Sequence, residues 1–141
     1  MTAKEYLQQA YKLDRQIDSH IEEVQRLRDM ATGLSSPAFG EKVQSSVSGD
    51  ASFVKAVESI IRMESRINKE IDQFVALKEQ IHVTLAMVGD PRERMILRGR
   101  YIDGKTERYL AAELGLDERT IRRLQKHALE NLILPENPII V

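Results

Sequence analysis

The chain has 141 residues, 42% hydrophobic, 30% charged and 5% aromatic, with a formal net charge of −1. This describes a soluble, helix-rich protein of one domain or one domain plus an appendage. No apolar run nears the ~18 residues of a membrane span, and the absence of Cys excludes disulfides, thiolate metal sites and a cysteine nucleophile. The opening residues show no basic segment followed by an apolar core, so the expected location is the cytoplasm. Charge is uneven: residues 1–90 carry 11 basic and 14 acidic side chains, whereas residues 91–128 carry 10 and 6.

In the first ninety residues, a 4-3 spacing runs from Tyr6 through Ala10, Leu13, Ile17, His20, Val24, Leu27 and Ala31. It predicts a helix over about 3–31 with one apolar seam. The pattern breaks at Gly33, and residues of about 33–50 are rich in turn formers. Within them, Glu41–Asp50 reads as a solvated linker or as a loop contacting a partner or phosphate, with Asp50 placed to cap the second helix. Periodicity resumes at Phe53, Ile60, Ile67, Phe74, Ile81 and Val88, one apolar residue in every seven. Val57, Ile71 and Leu85 accompany this row, and Glu64 and Lys78 interrupt it. The second helix is therefore expected over about 51–88. At 1.5 Å per residue the two helices would be roughly 43 and 57 Å long. Two such seams predict an antiparallel helical hairpin or coiled coil over residues 1–89, and the heptads equally allow pairing between chains as a homo-oligomer.

Gly89-Asp90-Pro91 sets the expected domain boundary, because Pro91 suits a first helical position and Asp90 its cap. Ile96, Leu97 and Tyr101 can share one face of a short helix, and Asp103-Gly104 ends it as a turn. Thr106 can cap a helix over Glu107–Leu114, Gly115-Leu116 turns the chain, and Asp117 can cap a longer helix to about Leu132. Pro135 and Pro138 then stop it, leaving a tail over 135–141. A short helix, a Gly turn and a longer helix form the helix-turn-helix layout. Counting from Glu107, the inner positions fit it: Leu110, Leu114 and Leu116 are apolar, Ala111 lets the helices cross closely, Gly115 suits a positive φ, and Ile121 and Leu124 turn inward. The outward face then carries Glu118, Arg119, Thr120, Arg122, Arg123 and Lys126, which with Thr106 form the expected double-stranded DNA contact set. The N-terminal half of such a helix enters the major groove. There Arg suits guanine edges, Glu suits cytosine, and Lys and the helix start suit phosphates.

The ungapped stretch of about 40 residues from Glu93-Arg94 through Arg100-Tyr101, Gly104, Leu110-Ala111, Leu114-Gly115, Thr120-Ile121 and Ala128-Leu129 to Leu132 resembles region 4 of bacterial sigma factors. That resemblance implies reading of a promoter element and contact with RNA polymerase, with Glu118, Arg119, Arg122 and Arg123 as the DNA-contacting candidates. Residues 1–90 lack the dense aromatic and basic cluster with which a full sigma factor melts a promoter. With its Lys4-Glu-Tyr-Leu opening and Val43-Gln-Ser-Ser loop, the whole chain is similar to small phage and prophage proteins of Gram-positive bacteria, grouped with sigma-like, ArpU-type regulators. The expected function is a sequence-specific transcription regulator. The alternative is a DNA-packaging adaptor resembling a terminase small subunit. Neither reading needs a cofactor or a membrane. His20, His82 and His127 lack metal-ligand spacing, and no phosphate-binding glycine motif occurs, so no metal site and no enzyme activity are expected.

Overall fold

In a computed structural model, which describes residues 1–34 and 46–141, the described residues are all-α. Among the described residues five helices follow in order: α1 (Ala3–Leu34), α2 (Ser46–Ala86), α3 (Pro91–Tyr101), α4 (Glu107–Leu114) and α5 (Glu118–Asn131). The loop reading of residues 35–45, and any role for the side chains of Ser46 to Asp50, fall outside the described residues. Two expected helix ends move outward. α1 runs through Gly33, and α2 begins at Ser46 rather than near 51, which places Asp50 inside the helix instead of at its cap. Gly33 is the next-to-last residue of α1, so the cost of about 1 kcal/mol that a Gly carries against Ala in a helix interior is reduced there. At its other end α2 stops at Ala86, ahead of Gly89.

The helices divide into two compact units, one formed by residues 15–72 and the other by residues 1–14 with 73–141. In the first, antiparallel stretches of α1 and α2 bury Ile17, Val24, Ala31 and Ile67. The seam row Ile67, Phe74 and Ile81 and the companion Leu85 face inward as expected, but the companion Ile71 does not. Ile71 is exposed, and Glu70 is buried in its place. Glu70 is tolerated there because its carboxylate oxygens accept hydrogen bonds from His20 Nδ1 at 2.7 Å and Gln16 Nε2 at 3.0 Å. Arg28 pairs with Glu64 further along the same pair of helices.

In the second unit the packing does not part at residues 89 and 90. Tyr6, Leu7 and Ala10 of α1, Leu77, Ile81 and Leu85 of α2, Leu97 and Tyr101 of α3, and Ala128 of α5 share one buried cluster. At roughly 1.5–3 kcal/mol per fully buried large aliphatic side chain, this cluster fastens the helix-turn-helix region to the start of α1 and the end of α2. A second cluster, Ile96, Leu110, Ala111, Ile121 and Leu124, lies among α3, α4 and α5. The tail is docked as well. Gln80 Nε2 donates to the Asn137 carbonyl at 3.0 Å while its Oε1 accepts from Ile139 N at 2.9 Å. Gln9 repeats the pattern, donating to the Ile139 carbonyl at 2.9 Å and accepting from Val141 N at 3.0 Å. Two side-chain amides thus pair alternate peptide groups of an extended segment.

Candidate nucleic-acid interface

Each helix of the C-terminal region begins with the cap its sequence dictates. Asp90 accepts from Arg92 N at 2.8 Å, Thr106 Oγ1 from Tyr109 N at 3.0 Å, and Asp117 Oδ1 from Thr120 N at 2.6 Å. These bonds to the charged form hold both aspartates below the usual carboxylate range: the Arg92 backbone N–H is the largest cause at Asp90, and the Thr120 hydrogen bonds at Asp117. Gly115 ends α4 at φ +67°, and its N–H donates to the Ala111 carbonyl. That left-handed conformation is cheap only for Gly. Thr106 therefore sits at the start of α4 with its hydroxyl oxygen engaged by the backbone, and Thr120 is half-buried at the start of α5.

With Ile121, Leu124 and Ala128 buried, α5 turns Glu118, Arg119, Arg122, Arg123 and Lys126 to solvent. The structure brings these five together on one face. At 3.6 residues per turn, Arg119 and Lys126 lie along the middle of the exposed arc, with Arg122 and Arg123 to either side. The arginines are not equivalent. Arg122 Nη1 lies 3.4 Å from Glu107 of α4 and 3.9 Å from Glu118, whereas Arg119, Arg123 and Lys126 have no ion-pair partner among the described residues. Free cations gathered on one exposed helix face form a surface suited to a polyanion.

Sequence reasoning missed two contributors. Lys4, in the first turn of α1, lines the same surface cleft as Arg122 and Lys126. Nothing local signals this, because it depends on how α1 meets α5. Gly99 was not singled out either. A Cβ there would lie 2.6 Å from Leu110 Cδ2, so any side chain at Gly99 would force Leu110 to shift. Glu93, buried in α3, accepts from His127 Nδ1 at 2.5 Å and ties α3 to the exposed flank of α5.

The caps, the left-handed Gly turn and the inward row of α5 define a helix-turn-helix module resting on α3. Residues 90–132 match the family model described as Sigma-70, region 4, a span running from the α3 cap to one residue past α5. Over 65 residues the chain is 34% identical to the RNA polymerase sigma-G factor of Clostridium acetobutylicum, an alignment covering 46% of this chain and 25% of that protein. The chain thus spans about a quarter of the length of the curated relative it matches. No solved structure matches the chain. Among the described residues, no helix is long and apolar enough to cross a membrane, and no cluster of His, Asp and Glu has metal-binding geometry.

Proposed function

We propose that the chain is a DNA-binding transcription regulator of phage or prophage type that acts with RNA polymerase, reading duplex DNA through α5. The observation that carries this is the free cationic face of α5 on a helix-turn-helix whose whole span, residues 90–132, is similar to sigma region 4. In this reading Arg119 and Arg123 approach base edges, with Glu118 beside them. Arg122 contributes only by leaving Glu107 and Glu118, a desolvation and pairing cost that reduces its net effect. Lys126, Thr106 and Thr120 serve the backbone phosphates, and Lys4 extends that footprint beyond the sigma-like span. The proposed activity is binding alone, and no residue takes a catalytic role.

The similarity to a protein whose name is RNA polymerase sigma-G factor supports a transcription role over the packaging-adaptor reading. Selection from a random duplex pool tests it. The full chain should enrich a defined motif, and the Arg119→Ala/Arg123→Ala variant should lose that enrichment. A pool that stays random, or a motif the double variant still enriches, would remove α5 as the reader. Light scattering separates the two readings, since a packaging adaptor should form rings and a regulator a monomer or dimer.

A further inference from the structure

Residues 137–141 lie beyond the span similar to sigma region 4, and the proposed DNA contact leaves them unused. Gln80 of α2 spans from the Asn137 carbonyl to the Ile139 N–H, and Gln9 of α1 from the Ile139 carbonyl to the Val141 N–H. These four groups form one edge of an extended segment, because alternate residues of such a chain turn their peptide groups the same way. Each amide carries both donor and acceptor, so the pair presents the outline that a neighbouring strand would present. Pro138 has no N–H and falls between the bonded residues, and it biases Asn137 toward the extended form. The amides are oriented from within the helices. The buried Tyr6 hydroxyl donates to Gln80 Oε1 at 2.8 Å, and Gln9, itself buried, also donates to the Tyr6 carbonyl at 3.3 Å. The segment is held lightly by comparison. Ile139 packs against the buried cluster of Tyr6, Leu7 and Leu77, whereas Ile140 is 71% exposed and Val141 46% exposed.

We propose that Tyr6, Gln9 and Gln80 form a binding site for an extended peptide, and that residues 137–141 of a second copy of this chain exchange with the resident segment. The ligand class follows from the contacts. It is an extended segment with a free main-chain edge and one apolar side chain at its centre. A second copy is the occupant because its segment meets all four main-chain bonds and the Ile139 contact by identity, and exchange of identical elements is a low-cost route to association. The five helices keep their packing, and only the short stretch between Leu134 and Asn137 reorients. Within one chain the segment is always close to the site, so it outcompetes the second copy until its own hold is weakened.

The probe is a fluorescein-labelled peptide of residues 133–141, capped at both ends so that no terminal charge takes part. Full-length Ile139→Asp keeps the site and spoils the resident segment, so anisotropy should show it binding the peptide at least tenfold more tightly than wild type. Adding Gln9→Met/Gln80→Met, which removes the amides at similar volume, should abolish that gain. A peptide N-methylated at Ile139 should bind at least tenfold more weakly, whereas Ile140→Lys in the peptide should bind normally. The second copy is tested by competition. Unlabelled full-length Gln9→Met/Gln80→Met, whose segment is intact and undocked, should displace the peptide from the Ile139→Asp chain, and the triple variant should not. Circular dichroism melts confirm that each variant is folded. A measurement on wild type alone needs no variant: the Ile139 and Val141 amides should exchange hydrogen more slowly than that of Ile140. The proposal is overturned if the peptide binds wild type and Ile139→Asp alike, or if binding survives loss of the amides or N-methylation. It is equally overturned if the intact segment of the second chain displaces no peptide, or if the three amides exchange at one rate.

Discussion

At the scale of single residues, small local requirements hold α5 in place. Asp117 is exposed, yet its carboxyl stays below the ordinary value of 3.8 because Thr120 donates to the charged form. A group whose folded pKa is depressed stabilises the fold above its unfolded pKa, and that stabilisation disappears as pH falls through the folded value. The melting-temperature gap between wild type and Asp117→Ala should therefore be widest near neutral pH and should narrow below about pH 4, as the cap becomes protonated. A gap that stays constant from pH 7 to pH 2.5 would show that the charge of Asp117 is irrelevant. Two glycines give a second contrast. Gly99→Ala drives a Cβ into Leu110 and should destabilise by about 1–3 kcal/mol. Gly33 is next to last in α1, and among the described residues no side chain lies within 4 Å of an added Cβ, so Gly33→Ala should stabilise slightly, by less than about 0.5 kcal/mol at this fraying helix end. Urea melts of both variants check the pair, and opposite signs are expected. Gly115 was legible in the sequence because its turn is local, whereas the need for Gly99 arises from Leu110 on another helix.

At the scale of elements, period and caps made the helices readable, and their ends and rotational settings less so. α2 offers two candidate companion rows beside Ile67 and Ile81. One row holds Ile71 and Leu85; the other holds Glu70, Leu77 and Thr84. Hydrophobicity alone favours the first, and the structure buries its Leu85 together with Glu70, Leu77 and Thr84 while leaving Ile71 exposed. The reason is a polar match across the pair of helices, where His20 and Gln16 satisfy Glu70, and one helix read by itself cannot reveal it. Ile67→Asp should therefore unfold residues 15–72 or lower their melting temperature sharply, since an unpaired buried charge costs several kcal/mol. Ile71→Asp, on the exposed side, should change stability by less than about 0.5 kcal/mol. Equal effects in thermal melts would mean that the row assignment is wrong. The docked tail was illegible for a related reason. Gln9 and Gln80 look like surface residues in sequence, and their pairing with Asn137, Ile139 and Val141 joins positions far apart along the chain.

At the scale of the whole molecule, the boundary suggested by Asp90-Pro91 is a helix start and not a break in packing. Leu97, Tyr101 and Ala128 are buried against residues from 6 to 10 and from 77 to 85. A fragment of residues 90–134 should accordingly melt far below the full chain and bind DNA more weakly, though its own cluster of Ile96, Leu110, Ile121 and Leu124 remains. A fragment as stable as the intact protein would show that the shared cluster contributes nothing. The helix-turn-helix itself was fully legible, because its caps, its Gly turn and its inward row all fall within one short stretch. Which arginines are free was not, since the pairing of Arg122 depends on Glu107 from the neighbouring helix. The most direct test of α5 as a DNA reader is affinity for a selected duplex and a scrambled one across a salt series. Arg119→Ala should lose about 1–3 kcal/mol on the selected duplex and much less on the scrambled one. Lys126→Ala should weaken both alike and reduce the salt slope by about one unit. Equal losses on both duplexes for Arg119→Ala and Arg123→Ala, with an unchanged slope for Lys126→Ala, would contradict the assignment of α5 as the reading helix.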